Sequence, residues 1–437
     1  MARDKKIILF FLIPFLLSLT YSFYFKVQPT VDARAYDNIG WNIAQGNGYR
    51  ESLEGPANND LSIFRVGPAY EIFLGVVYYV FGHNYYVVWF FQALFHALTA
   101  YFVFLITKEV FKKSWTPALG LISASLVAFS PDLITISSML LTENLAVLTV
   151  TIAAYLFFKY KNHNSLKNLL IFTFSFWLSV MSRTPVMLII LPIGAYFIIN
   201  KKWKDLFIIL ATLLVLFTPW TIRNYRIYGE VLPTNVSAGF NLYNGNYPGA
   251  SGEQESNPKL YEYTEKYGFL KADKIAFSEA MGFILNDPWA FIKRTIYRIS
   301  VYFSFSRPMA FWFHLHGFSK LATIITSSIH AMILFIAGVW GIVGLRGLPN
   351  EDKKRAKFLL GILVMMPLSI IGIVVETRYR LPVYPFLAVF GGWGLILLFS
   401  RKLKLLPILM VTSLLLINTL VDISTNIGRV IERLHSI

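Results

Sequence analysis

The feature that constrains this chain most is the recurrence of apolar runs close to twenty residues long, of which "IILFFLIPFLLSLTYSFYF" and "LLPILMVTSLLLINTLV" are the plainest. An α-helix of about 20 residues crosses about 30 Å of hydrocarbon with its backbone donors and acceptors paired internally. A water-facing helix needs a polar side, which these runs lack. Of 437 residues, 56% are hydrophobic and only 15% charged. The chain is read as an all-α polytopic membrane protein. It contains no cysteine, which excludes disulfides and thiolate chemistry without selecting a compartment.

Charge sets the expected orientation. Six clusters lie between apolar runs: Arg3, Lys5, Lys6; Lys108, Lys112, Lys113; Lys159, Lys161, Lys167; Lys201, Lys202, Lys204; Arg346, Lys353, Lys354, Arg355, Lys357; and Arg401, Lys402, Lys404. They hold 20 of the 40 basic residues and five acids, so they carry +15 of the net +16. Charge confined to short turns reads as cytoplasmic positive-inside topology, not as a nucleic-acid surface. Taking the clusters as cytoplasmic gives eleven spans, near 7–25, 86–107, 117–131, 135–158, 168–182, 184–200, 205–222, 321–345, 358–375, 381–399 and 405–423. The run "VGPAYEIFLGVVYYVFG" at 67–83 is expected to lie in the interface, because a further crossing would put the next basic cluster outside. Three parts follow: an N-terminal transmembrane module over 1–222 with a first loop at 26–85, a second loop with interfacial helices at 223–320, and C-terminal helices over 321–437. Both loops fall on the extracytoplasmic side.

The first loop opens "QPTVDARAYDNIGWNIAQGNGY", where Asp32 and Asp37 sit on an expected short helix closed by Gly46 and Gly48. Asp32 is either a helix-start acid facing free backbone donors or a carboxylate that deprotonates an incoming hydroxyl. Asp37 either solvates the helix or helps bind substrate. Cations recur at outward ends: Arg34, Arg65, Arg183, Arg223, Arg226, Arg378 and Arg380. Each alone can pair with an acid or a headgroup, but together they suit phosphoryl oxygens, which guanidinium groups grip through directed donors. In "PTNVSAGFNLYNGNYPGASG", Tyr243 and Asn246 either contact sugar or pack the loop. No Walker loop or dinucleotide-binding glycine pattern occurs.

At this point the sequence resembles the GT-C superfamily of membrane glycosyltransferases, in particular the dolichyl-phosphate-mannose protein mannosyltransferases and the lipid A aminoarabinose transferases. The resemblance runs through "DARAYDNIGWNIAQGNGY", "FRVGPAYEIFLGVVYYVFG", "SPDLITISSMLLTENLAVL", "SRTPVMLIILP", "PWTIRNYRIYGEVLPTNVSAGFNLYNGNYPGASG" and "RYRLPVYPFLAVFGGWGL", in order along most of the chain. The stretch "RVGP" departs from the basic residue followed by two prolines that many relatives carry. The resemblance implies an inverting transferase using a polyprenyl-phosphate or diphosphate sugar. It carries the first-loop catalytic Asp to Asp32, its aromatic neighbour to Tyr36, phosphate-facing residues to Arg65, Arg223 and Arg380, and a second acid to Asp132. Glu143 matches a recurrent acid whose depth also suits structural pairing.

The expected partners are therefore a polyprenyl-phosphate-linked sugar, a protein, glycolipid or polysaccharide acceptor, and membrane lipid, with no nucleic acid. No cofactor is required. A divalent metal is compatible with Asp32, Asp132 and His83, but these form no close-spaced ligand motif, and the metal is left unassigned. The expected location is a cell membrane, with the site on its extracytoplasmic face. Two other readings compete: a polysaccharide polymerase or ligase using a lipid-linked donor, and a lipid-linked-sugar transporter. A transporter would concentrate polar groups near the bilayer midplane, whereas these residues group by side.

Overall fold

The computed structural model describes residues 9–65, 67–255, 257–307, 313–401, 405–428 and 431. Arg3, Lys5, Lys6, Lys402 and Lys404 lie outside them. The first part of the chain forms α1 (Leu12–Phe25), α2 (Asp32–Ala44), α3 (Ala69–Phe81), α4 (Tyr85–Val110), α5 (Pro117–Ala128), α6 (Pro131–Ile136), α7 (Glu143–Asn162), α8 (Leu166–Ser182), α9 (Ile190–Ile199) and α10 (Trp203–Tyr228). The second loop supplies α11 (Ala238–Asn246), α12 (Pro258–Tyr267), α13 (Phe269–Asn286) and α14 (Pro288–Phe303). The last part forms α15 (Gly317–Val343), α16 (Asn350–Ile371), α17 (Tyr384–Phe399) and α18 (Leu405–Thr425). Among the described residues the fold is thus an all-α bundle, with one isolated parallel bridge, Glu253 to Val375, tying the second loop to the turn before α17.

Among the described residues, five helical stretches are long and apolar enough to cross a membrane: Tyr85–Val110, Trp203–Tyr228, Gly317–Gly347, Thr377–Phe399 and Leu406–Thr425. Five shorter apolar ones accompany them, among them α3. Thirteen residues make α3 about 20 Å long. Its Tyr70, Glu71, Leu74, Val77 and Tyr78 are buried while Ile72, Val76, Tyr79 and Val80 leave an apolar face exposed.

The bundle is closed by small residues. A Cβ at Gly341 of α15 would collide with the Phe390 carbonyl of α17, and one at Gly394 with the Ala337 carbonyl. These close approaches let two apolar helices pack backbone to backbone where burial of oil against oil contributes little. Four of the basic turns gather at one end: the Asp352 carboxylate accepts the backbone N–H groups of Lys113 and Ser114, Arg355 donates to the Glu109 carbonyl, Asn162 donates to the Glu109 carboxylate, and the Lys202 ammonium reaches Asn164. The two large loops meet at another place, where Val236 N–H donates to the Ile63 carbonyl and Arg223 to the Tyr49 carbonyl.

The expected span over 135–158 is interrupted. The chain breaks at Ser130–Pro131, makes the short α6, and stays irregular over 137–142 until α7 begins at Glu143. Pro131 cannot donate a helical hydrogen bond, so it starts a new helix capped by Ser130. Irregular backbone needs internal partners inside a membrane bundle, and the Asn144 amide supplies them to the carbonyls of Ile136, Met139 and Leu141 at 3.0, 3.0 and 3.1 Å.

Candidate active site

Asp32 is the first residue of α2, where an acid is favoured by the helix dipole. The preceding Val31 has φ 49°, a left-handed conformation costly for a β-branched residue, and strain of this kind is held only where neighbours over-determine the backbone. The neighbours are charged. Oδ2 of Asp32 accepts from Arg378 Nη2 at 2.6 Å, and Oδ1 from Arg65 Nη1 at 3.3 Å. Burial pushes the Asp32 carboxyl up, but the guanidiniums of Arg378 and Arg65 outweigh it and hold the carboxyl below its ordinary range.

Each arginine is itself held. Arg65 grips Glu51 with two parallel bonds of 2.8 and 2.7 Å, a bidentate geometry that fixes its plane. Arg378, in the tight turn Thr377–Val383, reaches Glu376 at 2.9 Å and Glu143 at 3.6 Å. Arg183, which ends α8, donates to Glu143 at 2.7 Å and lies 4.7 Å from the centre of the Tyr379 ring. Glu143 thus serves as the shared counter-charge of two arginines, the structural pairing its depth suggested. Tyr36 stands one turn beyond Asp32, buried edge-on to Tyr70 at 6.1 Å.

One pocket is lined by Asp32 and a second by Arg65. The first has Val27, Thr30, Asp32 and Ala33 on one side and Met139, Leu140 and Leu141 on the other, so the irregular stretch after α6 forms its wall. The second is lined by Tyr49, Ser62, Arg65, Trp220, Arg223, Thr234 and Asn235. Arg223 is packed among the rings of Tyr49, Trp220 and Tyr228 at 5.4, 5.0 and 5.6 Å. Its donors go to neutral oxygens, Tyr49 O at 2.8 Å and Asn224 Oδ1 at 2.9 Å, and among the described residues no carboxylate pairs with it.

Other residues singled out from the sequence are not brought to Asp32. The carboxylate of Asp37 takes Tyr78 at 2.6 Å, His83 at 2.8 Å and Tyr85 at 2.7 Å, which ties α2 to the α3–α4 corner. Asp132 bonds Ser327 and Tyr384, the latter at 2.8 Å, inside the bundle. Arg380 donates to Tyr384 and to the carbonyls of Ser304 and Arg307. Asn246 is occupied by Arg298 and by the carbonyls of Leu242 and Ile373, while Tyr243 stacks on Tyr247. Asp32, Asp132 and His83 therefore do not converge as metal ligands, and among the described residues no group of three His, Asp or Glu does. Glu51 and Glu376 were not singled out. Their signals were local: Glu51 follows the Gly-Asn-Gly turn closely, and Glu376 lies two residues before Arg378.

Residues 65–222 match the family described as dolichyl-phosphate-mannose-protein mannosyltransferase. No curated protein sequence matches the chain significantly. In fold, the chain is similar to ArnT from Cupriavidus metallidurans bound to undecaprenyl phosphate, with TM-score 0.52, 11% identity, and coverage of 90% of this chain and 60% of that one. It is also similar to the oligosaccharyltransferase AglB from Archaeoglobus fulgidus in complex with an inhibitory peptide and a dolichol-phosphate, with TM-score 0.50, 13% identity, and coverage of 90% and 50%. This chain thus spans between half and two thirds of the length of those proteins. Its fold is that of the GT-C superfamily of membrane glycosyltransferases, and it resembles the protein mannosyltransferases, ArnT and AglB.

Proposed function

We propose that this protein transfers a sugar from a polyprenyl-phosphate donor to an acceptor hydroxyl at the extracytoplasmic membrane face, with inversion at the anomeric carbon. The observation that carries the reading is the position of Arg65, which bonds Asp32 in one pocket and lines the other pocket with Arg223. The donor phosphate occupies the Arg65–Arg223 side, where a cation without a carboxylate partner offers charge to an anion. The acceptor occupies the Asp32 side. Its oxygen attacks the anomeric carbon, its proton passes to Asp32, and the sugar–phosphate bond breaks with its electron pair going to the phosphate. The departing phosphate is a weak base, so the site stabilises charge instead of supplying a strong acid.

The low proton affinity of resting Asp32 fits this sequence of events. A phosphate that engages Arg65 draws one guanidinium away from the carboxylate and makes it a better base. The gathering of Asp32, Arg65 and Arg223 where the two loops meet supports surface chemistry over a transport path at the midplane. The similarity of the fold to ArnT and AglB, solved with undecaprenyl phosphate and dolichol-phosphate, supports a lipid-linked donor. Eleven crossings with the basic turns inside remain the proposed topology. The acceptor, whether protein, glycolipid or growing polysaccharide, follows from the same test. Purified protein in lipid is incubated with a panel of polyprenyl-phosphate sugars and candidate acceptors. Consumption of one donor with a new glycosylated product of inverted configuration is expected. No consumption of any donor, or retention of configuration, contradicts the reading.

A further inference from the structure

We propose that α14 lies in the plane of the membrane, with Trp289, Ile292, Ile296 and Ile299 set into the headgroup–acyl boundary, so that the second loop is seated on lipid. These four residues recur at spacings of three and four and share one face of the helix. They are exposed by 63%, 43%, 61% and 41%, whereas Arg298, Val301 and Tyr302 on the other side are at most 1% exposed. An unpartnered apolar stripe of this kind on a single helix marks an interaction surface.

What covers it follows from where α14 is attached. Asn418 of α18 donates to the Ser300 carbonyl at 3.0 Å, Phe305 N–H donates to Thr419 Oγ1 at 3.2 Å, and Arg307 pairs with Asp422 at 2.7 Å. Helix α18 is long and apolar enough to cross a membrane and runs on to Thr425, so Asn418 lies about 10 Å back from its end. Leu414, Ile417 and Val421 of α18 are 65%, 55% and 50% exposed around the attachment. The stripe is therefore next to an apolar surface that a spanning helix shows to lipid. Lys293 borders the stripe with its ammonium 5.8 Å from the Trp289 ring centre, placed to reach headgroups while the ring enters the boundary. The occupant is the bilayer itself, through its interface and the acidic headgroups that Lys293 meets.

The cysteine-free chain allows a direct test. Single cysteines at Trp289, Ile292, Ile296 and Ile299 are labelled with a nitroxide in the full-length protein, in nanodiscs of phosphatidylethanolamine and phosphatidylglycerol. Accessibility to oxygen, which partitions into lipid, is compared with that to a water-soluble nickel chelate. Leu414→Cys on α18 gives the lipid reference and Glu262→Cys on α12 the water reference. All four replaced side chains are on the surface, and monodisperse elution verifies each variant. Oxygen accessibility near that of Leu414→Cys, several-fold above nickel accessibility, is expected. Nickel accessibility like that of Glu262→Cys overturns the proposal, as does shielding from both reagents, which would show a protein partner or a second copy on the stripe.

Discussion

Arg378 Nη2 lies 2.6 Å from Asp32 Oδ2 although 346 residues separate them along the chain. The pair joins the first loop to the turn that precedes α17, and its geometry depends on both ends being held. On one side Asp37 anchors α2 through three donors. On the other, Val375 N–H donates to the Gly252 carbonyl and Gln254 N–H to the Val375 carbonyl, strapping the segment before Arg378 to the second loop.

Replacing Arg378 tests the first end of that pair. Arg378→Gln leaves Glu376 and Glu143 short of a counter-charge and frees Asp32 from its closest cation. Transfer is expected to fall by roughly 100-fold. The acid limb of the rate–pH profile is expected to move upward, because the carboxylate loses the charge that held its proton affinity down. Arg378→Lys keeps the charge without the fork and is expected to recover part of the rate. An unmoved acid limb with normal turnover contradicts the pairing.

Two acids predict opposite pH effects on stability. For Asp32, lowered in the folded state, the folded protein binds fewer protons than the unfolded chain. Its contribution is present above the ordinary carboxylate range and is lost as pH falls through the depressed folded value. Glu71 is buried in α3, with one oxygen bonded by Tyr49 and the other without a partner, and burial pushes it up to about 8. The folded state then holds the proton longer, so stability declines as pH rises from the ordinary carboxylate range to about 8. Glu71→Gln is expected to raise the melting temperature at pH 8 and to flatten its decline between pH 5 and pH 8 (about the window set by the ordinary and shifted values). Thermal unfolding in nanodiscs across that range measures both.

Arg298 is expected to act as a positioning residue. It is fully buried, and its guanidinium donates to Gly252 O at 3.2 Å, Ile371 O at 3.2 Å, Asn246 Oδ1 at 2.8 Å and Gly245 O, holding together the strap that carries Arg378. Arg298→Lys cannot make all four bonds. Its turnover number is expected to drop about tenfold with little change in donor KM, and the acid limb to shift in the same direction as in Arg378→Gln. A purely structural role would lower the melting temperature and leave the acid limb in place.

Asp132 gives the contrasting case. Its partners are Ser327 and Tyr384, so Asp132→Asn is expected to reduce stability by ~1–3 kcal/mol while leaving the acid limb of transfer unchanged. A transfer defect at full stability would move Asp132 into the reaction.

What was legible in the sequence divides by the range of the interaction that decides it. Helix content and the short apolar α3 follow from hydropathy, which acts over whole segments. Asp32, Arg65 and Arg378 were legible as residue types at helix ends. Their mutual contact was not, nor was the assignment of Glu51 to Arg65, because a side chain's partner is set by packing of distant elements. The same limit explains Arg380, one residue beyond Tyr379 in the "RYR" motif, whose donors turn to Ser304 and Arg307 while Arg378 turns to Asp32. The break at 137–142 escaped the hydropathy reading because apolar residues continue through it; its local marks are Pro131, the Ser137–Ser138 pair and Asn144.

The central claim is that Asp32 takes the acceptor's proton, and the single-turnover rate of Asp32→Asn with donor bound tests it most directly. Asparagine keeps the size of the side chain and removes its capacity to accept a proton. Donor binding is expected within about threefold of wild type, and the transfer step slower by about 1,000-fold across the pH range. A transfer step within a few-fold of wild type on folded, donor-bound protein would contradict the account.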